Sequence, residues 1–268
     1  MNAFKQSSRT IAIVASVVGG VVLIGVGVTA AIATFGSMNA SNSGGSQSID
    51  VTGINGIEVE SNAADFELVF ADVSEAQLDI TGNSTYRWEM RVDDGDLVID
   101  SKRGFFDFCI GWCNMGEQQV TLTLPNELDS GKLDAELQLN AGTLNAGGSW
   151  NDLAIEVAAG ALEFDGSAGA LDTSVSAGRA ILNVDGARTA DLEIAAGQLI
   201  AELTGRTPTE VSIDVSAGKL ELTVPDDTYD VRSDVSAGSL DNRLDTSSRS
   251  SHRIDARVAA GSAVLRAG

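Results

Sequence analysis

The sequence predicts an all-β protein: a β-solenoid, or single-stranded β-helix, of about seven repeats, with an N-terminal β cap region and one transmembrane helix ahead of it. Three observations carry this. The dipeptide Ala-Gly recurs with glycine at 142, 160, 178, 197, 218, 238 and 261, at spacings of 18, 18, 19, 21, 20 and 23. Between these points apolar and polar residues alternate, as in Val211-Ser-Ile213-Asp-Val215, the two-residue period of a strand with one buried face. Finally, Ile11 to Phe35 contains no charged residue.

The 25 residues 11–35 are long enough to cross about 30 Å of hydrocarbon as a helix. Lys5 and Arg9 precede the stretch, and the first base after it is Arg87. Positive charge stays in the cytoplasm, so residues 1–10 are expected inside and everything after residue 35 outside, in a single-pass plasma-membrane protein. Ala31-Ile32-Ala33 has the form of a signal-peptide cleavage site, but the apolar stretch ahead of it is long for one, and a retained anchor is the preferred reading. Residues 36–49, polar and rich in Gly and Ser, read as a flexible linker.

Residues 50–134 read as an N-terminal β region without Ala-Gly. Its strand candidates are Ile57–Glu60, Phe66–Phe70, Gln77–Thr81, Tyr86–Val92, Leu97–Asp100 and Gln119–Leu124. Asp94-Gly95 supplies the positive φ of a tight hairpin turn. This region is expected to pack onto and cap the repeats of 135–268. In those repeats the residue three before each Gly is aliphatic, and Leu or Ala stands two after it. Turns are expected at Asp165-Gly166, Asp185-Gly186 and Pro225-Asp226-Asp227. About 20 residues per unit without a helix favours stacked coils over an antiparallel meander. The last coil is expected to end near Leu265 without a cap, which leaves self-association open.

Taken together, the anchor, the strand Ile57-Glu-Val59-Glu followed by Asp65-Phe66-Glu-Leu68, the Val120-Thr-Leu122-Thr-Leu124-Pro125 strand and the repeated Val-x-Ala-Gly coils resemble the bacterial putative adhesin family, a domain of unknown function. The resemblance covers about Ile54 to Leu265. It implies a β-helical, surface-exposed, non-enzymatic protein and carries over no functional residues.

Composition argues in the same direction. With 38 acidic against 17 basic residues the net charge is −21, which repels phosphate backbones and excludes a nucleic-acid partner. One His, two Cys and the lack of hydrolase, zinc-protease, nucleotide or dinucleotide motifs leave no catalytic or metal residues to assign and no cofactor to expect. Ser216-Ala-Gly-Lys219 has the Ser-x-x-Lys spacing of penicillin-recognising enzymes, but sister copies carry Arg179, Gln198 and Ser239 in place of the Lys. It reads as a strand corner. Asp172, Asp214, Asp234 and Asp255 recur at polar positions and are expected to line an outward column. A solvated face is the preferred reading, and a calcium-dependent polysaccharide-active enzyme is an alternative.

The most distinctive stretch is 104–115. Cys109 and Cys113 are expected to form a structural disulfide outside the cytoplasm. Phe105, Phe106, Phe108 and Trp112 either plug an open end or form an interaction loop beside Lys102 and Arg103. The function expected is thus a membrane-anchored, extracytoplasmic, non-enzymatic binding or scaffold protein, adhesin-like. Its expected partners are a cell-envelope polymer or a membrane protein. An envelope-stress or signalling accessory working through a membrane partner is a further alternative.

Overall fold

Alternating apolar residues need a shared interior, and the chain supplies one by laying strands side by side in two long ladders. The structure, a computed structural model, describes residues 45–82, 86–103 and 118–268. Among them no helix is long and apolar enough to cross a membrane. The stretch 11–35, most of the linker, and the loop carrying Cys109, Cys113, Phe105, Phe106, Phe108 and Trp112 lie outside the described residues.

The described chain is all-β. Ahead of residue 130 come β1 (Gly45–Ile49), β2 (Gly56–Ser61), β3 (Ala64–Ala71), β4 (Ala76–Thr81), β5 (Tyr86–Asp93), β6 (Asp96–Arg103) and β7 (Gln119–Pro125). The next strands are β8 (Asp134–Leu139), β9 (Gly142–Val157), β10 (Ala161–Val175), β11 (Arg179–Asp185), β12 (Thr189–Ile194) and β13 (Gln198–Thr204). The chain closes with β14 (Glu210–Val215), β15 (Lys219–Val224), β16 (Thr228–Val235), β17 (Ser239–Asn242), β18 (Asp245–Thr246), β19 (Arg253–Val258) and β20 (Ser262–Ala267). Every strand expected from residues 50–134 is present, within one to three residues at each end.

Pairing through the repeats is parallel and in register, which rules out the meander. One ladder runs β6, β2, β8, β9, β10, β12, β14, β19, β16, each strand bonded to the next. The second runs β7, β3, β9, β10, β11, β13, β15, β20, β17. Each ladder lays its apolar positions against one continuous core, with Leu137, Val157, Phe164, Leu192, Leu199, Ile213 and Leu222 all buried.

The corner residues explain the Ala-Gly recurrence. The Gly160 carbonyl accepts the Arg179 N–H at 2.9 Å, Gly178 accepts Gln198 at 3.0 Å and Gly197 accepts Lys219 at 2.9 Å. A Cβ on Gly197 would run into the Gly178 carbonyl oxygen, and one on Gly218 into that of Gly197. Only Gly142 and Gly160, at φ of 94° and 96°, also need the left-handed conformation. At the later corners glycine is required by close approach rather than by its torsional freedom.

The structure departs from the sequence reading at four points. First, the N-terminal region is not only a cap. β2 and β3 join the same parallel ladders, with Ala64 opposite Gly142 and Phe66 opposite Leu144, so Ala63-Ala64 is a further corner that lacks the glycine. Second, Asp165-Gly166 is not a turn. β10 runs straight through it, paired to Gly147 and Gly148, because a backbone bare of Cβ on both strands lets them stay in contact. Third, residues 45–49, assigned to the linker, form β1, which pairs antiparallel with β4. Fourth, the last unit in sequence is not the last in space: β19 and β20 lie between β14–β15 and β16–β17. The open edge belongs to residues 228–242.

Candidate functional site

The parallel register converts a sequence period into columns. On the ladder that ends in β16, inward positions hold mainly Leu, Ile, Val and Ala, with Thr173 buried among them and Ser233 at the last strand, and the positions between them alternate to the other face. One outward column reads Glu58, Glu136, Ala154, Asp172, Asp191, Ser212, Asp255 and Arg232. Its neighbour begins at Asp100, which is buried and paired to Arg91 and Lys102, and continues through Glu60, Gln138, Glu156, Ser174, Glu193, Asp214, Arg257 and Asp234. The four aspartates expected in one column therefore divide between two, Asp172 with Asp255 and Asp214 with Asp234. Adjacent strands lie about 4.8 Å apart, so successive carboxylates repel one another.

Burial, and after it that repulsion, raises three carboxyls of this sheet. Desolvation by the flanking strands, then the charges of Glu58 and Glu156, push the Glu136 carboxyl up. Asp172 is raised by desolvation and by Asp191 and Glu193, and Asp152 by desolvation and Asp134. Bases on this ladder stand at its two ends, Lys102 on β6, where it meets Asp100 at 3.3 Å, and Arg253, Arg257 and Arg232 on β19 and β16. The second ladder differs: its outward positions include Thr121, Asn145, Ile181, Ile200, Thr223 and Val264. The molecule thus has one acidic sheet and one mixed sheet.

The other motifs settle into structural roles. Ser216 to Lys219 is a corner, and the Lys219 ammonium donates to Glu221 Oε1 at 2.6 Å. Trp150, within Gly147-Gly-Ser-Trp-Asn-Asp152, is buried and donates to the Gly147 carbonyl at 3.3 Å. His252 places Nδ1 2.9 Å from the Pro208 carbonyl oxygen and stacks edge-on against Tyr229. Among the described residues no group of three or more His, Cys, Asp or Glu side chains is placed to hold a metal ion.

Two further aromatics belong to the core. The Phe66 and Trp88 rings lie 5.4 Å apart, and the Trp88 indole donates to Gln118 Oε1 at 2.9 Å. Gln47 on β1 completes this end: its side-chain amide donates to the Trp88 carbonyl at 3.0 Å and accepts the Met90 N–H at 3.3 Å. Sequence reasoning missed Gln47, because a glutamine in a Gly/Ser-rich stretch carries no signal until β1 is known to sit against β5.

No family model and no curated protein sequence matches the chain. Solved structures do resemble it. A Parabacteroides distasonis protein described as a putative adhesin is 15% identical with a TM-score of 0.51, over 83% of this chain and 96% of its own. A Bacteroides fragilis protein of the same description is 15% identical with a TM-score of 0.47, over 85% and 98%. A second P. distasonis protein, described as a putative lipid binding protein, is 14% identical with a TM-score of 0.37, over 83% and 96%. At these identities the likeness concerns the fold alone.

Proposed function

We propose that this chain is a membrane-anchored, extracytoplasmic β-solenoid that works by binding rather than catalysis, and that the acidic sheet is its contact surface. The partner is a cell-envelope polymer or membrane protein that presents cationic groups along its length. The observation that carries this reading is the pair of carboxylate columns held in register across successive strands. Such a surface presents carboxylates at intervals along much of the stack and suits an extended partner better than a small molecule. The fold resemblance to a protein described as a putative adhesin agrees with a binding role.

Burial raises Glu136, Asp152 and Asp172 first and like-charged neighbours raise them further, and cations on a partner would offset that second part. The test is full-length chain in neutral liposomes, titrated with polylysine as a cationic probe. Binding is expected to weaken with salt, and to fall about tenfold when Asp172, Asp191 and Glu193 become Asn, Asn and Gln. Binding that is unchanged in the triple variant would sink the reading.

A further inference from the structure

We propose that the open end of the stack is a two-fold interface, on which β16 of one chain pairs antiparallel with β16 of a second copy. Asp230 N–H donates to the His252 carbonyl at 2.7 Å and Ser236 N–H to the Val258 carbonyl at 3.0 Å. Even-numbered residues of β16 therefore direct their backbone groups toward β19. The odd-numbered ones, Val231, Ser233 and Val235, direct theirs to the free edge. Only Thr228 and Tyr229 at the start of that edge are paired, to β18, with Ser247 N–H on the Tyr229 carbonyl at 2.9 Å. Among the described residues nothing pairs with the rest, and Val235 is 40% exposed.

The side chains select one register. Hydrogen-bonded antiparallel pairs must join odd residues to odd residues, which leaves few choices. Centring on Arg232 sets arginine against arginine and Asp230 against Asp234. Placing Ser233 opposite Val235 sets Asp234 against Asp234. Centring on Val231 needs the edge of Tyr229, which β18 already occupies. Centring on Ser233 has none of these faults. It sets Arg232 opposite Asp234 of the second copy on both sides of the axis, and Val231 opposite Val235. All six free backbone groups of each strand are then bonded. Val231 and Val235 stand in register with Ile254 and Val258, so the pairing extends the apolar core across the interface.

Assembly stops at two chains. The other end of this ladder is β5, and Gln47 occupies the middle of its outer edge through Trp88 and Met90. An interface in which β16 pairs with itself about a two-fold axis is used up by one partner and closes as a dimer, whereas a second receptive edge on this ladder would polymerise.

The test uses the full-length chain in detergent. In this register Ser233 faces its own copy with Cα atoms about 5.5 Å apart, within the roughly 4.4–6.8 Å that a disulfide spans. Under mild oxidation Ser233→Cys is expected to give at least about tenfold more linked dimer than Thr189→Cys, an exposed control far from the end. Arg232→Glu is expected to weaken dimerisation about tenfold, and adding Asp234→Arg to restore it. Equal crosslinking at 189 and 233 would overturn the proposal. So would failure of the second charge swap to rescue, monomers at about 100 µM, or open-ended polymers in sedimentation.

Discussion

The two ends of this molecule solve one problem in opposite ways. Any stack of strands ends in a row of unpaired N–H and C=O groups, with an apolar interior exposed behind them. At the N-terminal end the chain reverses direction. β4 and β5 run antiparallel to their neighbours, β1 adds a further antiparallel strand, Trp88 covers Phe66, and Gln47 bonds to the β5 edge. At the C-terminal end the direction never reverses. β16 and β17 remain parallel to the stack, and polar residues replace apolar ones at inward positions. Ser233 stands in register with Ala256, and Asn242 with Leu265. Closure needs extra strands and a plug, whereas polar substitution leaves an end soluble yet still receptive.

Substitutions at the two ends should therefore differ in size. Trp88→Ala removes a buried indole with its stacking and hydrogen-bond partners, and should cost about 3–5 kcal/mol. Val235→Ala at the other end should cost under about 0.5 kcal/mol in the monomer. Denaturant unfolding of both variants checks the contrast, and equal losses would break it. Between the ends, Gly197→Ala drives a Cβ into the Gly178 carbonyl and Val175 and should cost about 1–3 kcal/mol. Gly186→Ala, in an open turn at φ of 80°, should cost about 1 kcal/mol, from torsion alone.

Gln47→Ala uncovers the Trp88 carbonyl and the Met90 N–H at the closed end, and should cost about 1–2 kcal/mol. Faster amide exchange confined to β5 would report the uncovered edge. The smallest effect is on pH dependence. The folded-state carboxyls of Glu136, Asp152 and Asp172 are raised above their ordinary values of 4.5, 3.8 and 3.8. The folded chain then binds more protons than the unfolded chain in the window just above those values, so stability there falls as pH rises. Melting temperature should rise as pH drops from neutral toward those ordinary values, and added salt should reduce the difference. Asp50, Asp227 and Asp241 are lowered by hydrogen bonds to Thr52, Thr228 and Thr207, and Arg243 respectively. Their contribution is lost only as pH falls below the ordinary carboxylate range.

The repeat itself was legible because its cause is local. A corner that passes within contact distance of the next needs glycine, and a strand with one dry face needs alternation. Both mark the chain at every turn. Ala64 escaped because its corner is the outermost of the glycine-bearing set's neighbours: Gly142 stacks on it and carries the steric demand instead. Stacking order was not legible, because β14 offers β19 and β16 the same alternating surface. Val211, Val231 and Ile254 are interchangeable in pattern, and nothing local says which of the later two strands lies inside. The acidic sheet was half legible. The recurrence of Asp172 and Asp214 is plain in sequence, and alternation alone leaves the register open by two residues, but the corner glycines fix it: Asp172 and Asp255 lie six residues before Gly178 and Gly261, Asp214 and Asp234 four before Gly218 and Gly238.

The interleaving of the last units sets the order in which the molecule can be completed. Residues 228–242 leave the ribosome before 253–267, yet in the finished stack they touch β14 and β15 only through those later strands. While the chain is being made, β16 and β17 have no permanent neighbour, and their place beside β14 and β15 must stay vacant or be given up when the final strands arrive. A chain cut after residue 250 would lose a course from inside the wall, not the coping from its top.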